Sequence, residues 1–157
     1  MGQKSVVYYE LNSAVNYVNK ANGYANSIIY NIDRSLQQTA IPDIQYYARQ
    51  ARTESGYAVT EADYAEVNTT KAADVSDEIK CYDAKYKGDT AKEKLYTAIE
   101  KLEDASAVLI NAEYGDNQEN IMNQLYKAKS YAEEGISNLN DALYYMKLAL
   151  DALNSCE

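Results

Sequence analysis

The chain has 157 residues, enough for one domain that buries about two thirds of the surface its unfolded form exposes, so neither a metal nor a disulfide framework is needed to hold it. Its 24 Asp and Glu against 15 Lys and Arg leave a net charge of −9 at pH 7, which repels phosphate backbones and anionic lipid headgroups and argues against direct nucleic-acid binding. No stretch approaches the roughly 18 apolar residues of a membrane span.

One Pro and six Gly punctuate the sequence sparsely, as long helices joined by short turns require. The first helix is expected at about 5–38, with a seam of Leu11, Val15, Val18, Asn22, Ala25, Ile29, Ile32 and Leu36 at alternating spacings of three and four. A second stripe, Tyr17, Ala21, Tyr24 and Ile28, lies beside it and suggests contact with more than one neighbour. The helix ends before Ile41-Pro42, because a proline pushes its predecessor out of helical geometry and itself suits the first turn of the next helix.

The second helix is expected at about 42–86, on the seam Ile44, Ala48, Ala51, Ser55, Ala58, Ala62, Ala65, Thr69, Ala72, Ser76 and Ile79. Ser55-Gly56 and Asn68-Thr69-Thr70 are poor helix formers, yet the seam keeps its phase across both, which argues for one unbroken helix. At about 100° per residue, Tyr46, Tyr57, Tyr64, Tyr82 and Tyr86 fall within about 40° of one another beside the seam. Asp63, Glu66, Asp74 and Asp77 fall opposite it, as an acidic line about 21 Å long.

Gly88 is read as the stop of the second helix, and Thr90 with Glu93 as the capping box of a third at about 90–114. Its seam is Ala91, Leu95, Ala98, Leu102, Ala105, Leu109 and Ala112. Gly115 followed by Asp116 and Glu119 repeats the device and opens a fourth helix at about 116–155, with the seam Ile121, Leu125, Ala128, Ala132, Gly135, Leu139, Ala142, Met146, Ala149 and Leu153. The expected fold is all-α, one domain over 1–157: an elongated up-down-up-down four-helix bundle with coiled-coil-like packing and unequal helices. A third helix of about 38 Å cannot cover partners of about 60 Å, so the excess, carrying Ile28, Ile29, Ile32, Leu36 and Ile44, is expected to meet another chain.

No seam position carries a charge although 25% of the residues are charged. Carboxylate-bridged metal bundles need inward Glu and Glu-x-x-His pairs; the chain has no histidine. With only three methionines and no imidazole, haem ligation lacks its usual ligands. Without histidine a Ser or Cys nucleophile lacks its commonest base, and no Gly-rich phosphate loop is present. The carboxylate pairs Asp77-Glu78, Glu103-Asp104 and Glu133-Glu134 are sequence neighbours that diverge on a helix. No catalytic, metal or cofactor-binding residue, and no cofactor, is expected. Cys81 and Cys156 are expected as free thiols, because the second and fourth helices that carry them stand on a bundle diagonal, usually wider than a disulfide spans.

All 17 aromatics are Tyr. Tyrosine covers apolar area while keeping a hydroxyl for a partner, which suits half-buried flanks and interfaces. The candidate interface is therefore Tyr46, Tyr57, Tyr64, Tyr82, Tyr86, Tyr17, Tyr24, Ile28, Ile29 and Ile32, contacting a protein partner or a second copy without membrane insertion. The expected function is a non-enzymatic helical assembly or interaction protein, for instance a viral or cellular structural subunit. The alternative is a small acidic inhibitor whose Asp63, Glu66, Asp74 and Asp77 imitate phosphates and block a basic channel, a character shared by phage-encoded inhibitors of nucleases. A cytoplasmic location is expected from the lack of a signal peptide or transmembrane segment, with a virion or a non-classical export route as the other options.

Overall fold

The computed structural model describes residues 2–157, which form α1 (Gln3–Leu36), α2 (Ile41–Glu78), α3 (Tyr82–Glu113) and α4 (Gln118–Asn154). Each helix packs on its neighbours in sequence and α4 closes on α1, while the diagonal pair α2 and α4 barely touch, giving an up-down-up-down square. The helices contain 34, 38, 32 and 37 residues, or about 50 to 57 Å at 1.5 Å per residue for all but the third, which is about 48 Å.

The buried seams of α2, α3 and α4 coincide with the apolar repeats of the sequence, apart from the half-buried Ile79 at the end of α2 and the additional Ala84 and Gly88 at the start of α3. In α1 the phase is corrected at alternate positions. The buried seam residues are Val7, Leu11, Ala14, Val18, Ala21, Ala25, Ile28, Ile32 and Ser35, while Val15, Asn22, Ile29 and Leu36 are half-buried on one flank. Val15 and Leu36 are larger than the Ala14 and Ser35 beside them and so favour the wrong phase, and the adjacent Ile28 and Ile29 do not discriminate. In fact the small Ala14, Ala21 and Ser35 face the Ala-lined α2, and the bulkier flank faces α4.

Heptad notation makes the scheme plain, with the seams at a and d. Glu10, Tyr17 and Tyr24 sit on the g edge of α1 that faces α2, whereas Val15, Ile29 and Leu36 sit on the e edge that faces α4, where Met122, Ile136 and Leu143 occupy the matching edge. The e edges of α2 and α3 carry Arg52, Glu66, Lys92 and Glu113, which pair across that interface. Both flanks of every helix are thus occupied within one chain. Two buried carboxylates sit on these flanks and not in the seams: Glu10, paired with Lys71 at 3.2 Å and with Asn68, and Glu113, paired with Arg49 at 3.2 Å and with Arg52.

The boundary between the second and third helices is the main correction. α2 ends at Glu78, with Ile79 as its cap, and Lys80 takes φ 63°. The Cys81 N–H donates to the Ser76 carbonyl at 2.8 Å and the Lys80 N–H to that of Asp77 at 3.0 Å. This is the double bond of a Schellman turn, whose left-handed residue is usually Gly. Lysine stands there instead, so the stop carries no sequence mark, and Gly88 is a buried helical position whose missing side chain lets Ala73 approach to 3.4 Å from where a Cβ would lie. The fourth helix is capped one residue later than expected, by Asn117, whose side chain accepts from the Asn120 N–H at 3.2 Å. α2 runs unbroken through Gly56 and Asn68.

Cys81 and Cys156 form a disulfide with Cα atoms 5.8 Å apart, which corrects the expectation of free thiols. The same boundary explains it: Cys81 precedes α3, the neighbour of α4, and so stands on a side of the square and not on its diagonal. Val7, Leu11, Ala72, Ala84, Ala149 and Leu153 pack round this end of the bundle, and the Lys4 ammonium donates to the Cys156 carbonyl at 2.7 Å. Among the described residues no helix is long and apolar enough to cross a membrane.

Candidate interaction surface

The predicted tyrosine strip divides in two. Tyr46, Tyr57 and Tyr64 lie on α2, but Tyr82 and Tyr86 belong to α3, past the turn, so the five do not share one edge. Tyr17 and Tyr24 do join the α2 tyrosines. The rings of Tyr17 and Tyr64 stand 5.3 Å apart, as do those of Tyr24 and Tyr57, tilted by 49° and 50°. These pairs continue a register in which Gln3 donates to Glu78 and Glu10 meets Lys71. Each step of seven residues up α1 is matched by seven down α2, so the rungs repeat about every 10.5 Å.

Cations cap the ladder. The Lys20 ammonium lies 5.5 Å from the Tyr17 ring centre, and the Arg34 guanidinium lies 5.0 Å from that of Tyr47 and 5.6 Å from that of Tyr30. Arg34 also donates to both hydroxyls, at 2.9 Å to Tyr30 and 3.1 Å to Tyr47. Those bonds, Tyr47 first, hold its pKa above its already high ordinary value. Tyr17 and Tyr24 are half-buried and cover the alanine seam, whereas Tyr57 and Tyr64 lean on them and leave about half their surface in solvent, 51% and 50%. Tyr46, Tyr82 and Tyr86 are exposed as well.

The isoleucine candidates do not remain at the surface. Ile28 and Ile32 are fully buried in the core and Ile29 is half-buried against it. They share the core cluster with Ile44 and Ala48 of α2 and Ile121 and Leu125 of α4, so these three residues present no open apolar face. The acidic line is broken too. Glu66 turns from the outer face into the α2–α3 edge, where the Tyr96 hydroxyl donates to it at 2.8 Å and Lys92 lies 3.9 Å away. Asp63, Asp74 and Asp77 stay exposed. Partial burial, and then the nearby Glu66 charge, raise the Asp63 pKa above its ordinary value.

Two features were missed at the sequence level. One is the clamp of Arg49 and Arg52 on the buried Glu113, whose residues lie more than 60 positions apart. The other is a groove of about 320 Å³ on the outer α2–α3 edge, lined by Ser55, Gly56, Val59, Glu103, Ser106, Ala107 and Ile110. A glycine on the solvent side of an otherwise regular helix was the available signal for it. Among the described residues no group of three or more His, Cys, Asp or Glu is placed to hold a metal. No protein-family model, curated protein or solved structure significantly matches this chain, so its class rests on the fold: an up-and-down four-helix bundle closed on all four sides.

Proposed function

We propose that this chain is a non-enzymatic interaction protein that presents a rigid helical surface to another protein. The observation that supports the reading is the placement of tyrosine. Eleven of the 17 expose half or more of their surface, far more than shielding the bundle flanks requires, and aromatic residues with a hydroxyl are favoured anchors of protein interfaces. With Ile28 and Ile32 in the core, the apolar residues offered for self-association are not available at the surface, which supports a different protein as the partner over a second copy. The disulfide supports action in an oxidising setting, or in the cytosol of a hyperthermophile, over the reducing cytoplasm first expected.

The test is quantitative affinity capture from the source cells with the wild type and a Tyr57→Ala/Tyr64→Ala variant, followed by reconstitution of the captured complex. The variant should lose partner binding by about tenfold or more, given roughly 1 kcal/mol per aromatic anchor, and keep its helical content. Equal capture by both proteins would refute the role of the ladder.

Exposed Asp63, Asp74 and Asp77 support a second reading, an acidic inhibitor that occupies the basic channel of a nucleic-acid-binding enzyme. Salt separates the two readings: charge mimicry weakens steeply as ionic strength rises, and aromatic docking changes little.

A further inference from the structure

Gly56 sits in mid-helix on α2, and a Cβ built there would meet nothing within 4 Å. Glycine inside a helix costs about 1 kcal/mol relative to alanine. At Gly88 and Gly135 close packing offsets that cost, since Cβ atoms there would come within 3.4 Å of Ala73 and 3.0 Å of Leu102. At Gly56 the fold supplies no such reason. What the missing side chain does is open the α2–α3 groove, whose walls are Val59, Ala107 and Ile110, the last 42% exposed.

The rim of the groove is acidic. Glu103 lines it, Glu100 stands one turn along α3, and Asp63 stands one heptad from Gly56 on the same edge of α2. None of Asp63, Glu100 and Glu103 makes an ion pair among the described residues. The far end differs, because Arg49 and Arg52 are turned onto Glu113 and their charge is partly spent there.

We propose that this groove is the docking site for a basic amphipathic helix of a protein partner; the inference rests on the interaction reading above and names the chemistry of the occupant. Small residues at Ser55, Gly56, Ser106 and Ala107 let a third backbone approach closely, as helix-in-groove recognition requires. From Glu103 to Ile110 the groove runs about 10.5 Å, two helical turns, which accommodates two apolar anchors three or four residues apart. Lysines or arginines flanking those anchors reach Asp63, Glu100 and Glu103. A second copy of this chain is the wrong occupant, because it carries the same net charge of −9 and would set carboxylate against carboxylate.

The probe is a labelled 18-residue peptide with leucines at helical i and i+4 positions and lysines on both flanks, against an isomer of equal composition with the leucines on opposite faces of the helix. Fluorescence anisotropy on the full chain should show the amphipathic isomer binding about tenfold tighter, with amide shifts in NMR concentrated at Val59, Ala107 and Ile110. Gly56→Leu fills the notch at a site with open space, so the variant should melt higher than wild type yet bind about fivefold more weakly. Asp63→Asn with Glu103→Gln should weaken binding at low salt by a similar factor, an effect that shrinks as salt rises. Equal affinity for the two isomers, unchanged affinity in Gly56→Leu, or no binding at about millimolar peptide would overturn the proposal. If the groove variants leave a captured native partner bound while the Tyr57/Tyr64 variant releases it, the groove falls and the interaction reading stands. If neither set changes any partner, both fall.

Discussion

Breaking the disulfide tests how the two ends of the second hairpin are held. Cys81 and Cys156 are 75 residues apart in sequence. The chain-entropy relation for a loop of that size gives about 15 cal/mol/K, or about 4.5 kcal/mol at 25 °C, as the stabilisation that comes from restricting the unfolded chain. For a chain of this length each kcal/mol corresponds to about 2 to 4 °C, so the melting temperature should fall by about 9 to 18 °C when the bridge is cut. Serine substitution confounds the measurement, because Cys81 is only 5% exposed and a buried hydroxyl without a partner adds about 1 to 3 kcal/mol of its own. Reduction of the wild type with a phosphine is cleaner, and the Cys81→Ala/Cys156→Ala variant, which should be insensitive to reductant, is the control. Far-UV circular dichroism during thermal and urea unfolding reads the result, with intact-mass measurement after alkylation to count thiols. A fully reduced protein whose midpoint moves by less than about 2 °C would refute the loop-entropy reasoning, and two alkylatable thiols in the unreduced protein would refute the bridge itself.

Lys80→Gly should stabilise the protein by about 0.5 to 1 kcal/mol in urea unfolding, since the left-handed backbone at φ 63° costs a side chain what glycine does not incur; a loss of stability would show that the lysine side chain supports the turn. Arg49→Ala/Arg52→Ala should destabilise by about 3 kcal/mol, because it strands the Glu113 carboxylate, which is 1% exposed, whereas Glu113→Gln should cost less because both arginines can turn to solvent. The reverse order would contradict that account. Asp63→Asn should stabilise the protein at pH 7: a carboxyl whose folded pKa is raised favours the folded state when protonated, and that benefit is lost as pH rises through the folded value. The difference between variant and wild type should vanish as pH falls below the ordinary 3.8, and a constant difference across pH would rule out the titration of Asp63 as its source.

The parts of the fold that could be read from the sequence are those written in the spacing of apolar residues. In α2 the run from Ile44 to Ser76 and in α4 the run from Ile121 to Leu153 are buried as their periodicity requires. What could not be read was carried by backbone geometry or by distant pairing. Lys80 adopts a conformation that composition assigns to glycine, so composition places the turn at Gly88, and three expectations depend on that placement: a short third helix, a surplus of apolar length, and cysteines set on a diagonal. The α1 seam was misplaced for a different reason. Hydrophobic size favours Val15 and Leu36 over the smaller Ala14 and Ser35 beside them and leaves Ile28 and Ile29 undistinguished, but close approach to an alanine-lined neighbour favours Ala14, Ala21 and Ser35.

The closed square also limits where function can reside. Since a, d, e and g positions face other helices of the same chain, only the outer b, c and f positions are free to meet a partner, and there the sequence departs from what stability alone would select. Solvent-facing helical sites are served best by Ala, Glu, Lys, Gln and Arg. This chain instead places Tyr46, Tyr57, Tyr64, Tyr86 and Tyr96 there, exposed by 50 to 66%, together with Gly23 and Gly56, at which a Cβ would meet no neighbour. The two glycines give up helix propensity without a packing return inside the chain, while Tyr57 and Tyr64 pack on one face against Tyr24 and Tyr17 and leave the other to solvent. A rigid bundle whose interior obeys the repeat and whose outer positions break it has its unexplained residues at the surface, and Gly56 with the α2–α3 groove is where that departure has a definite shape.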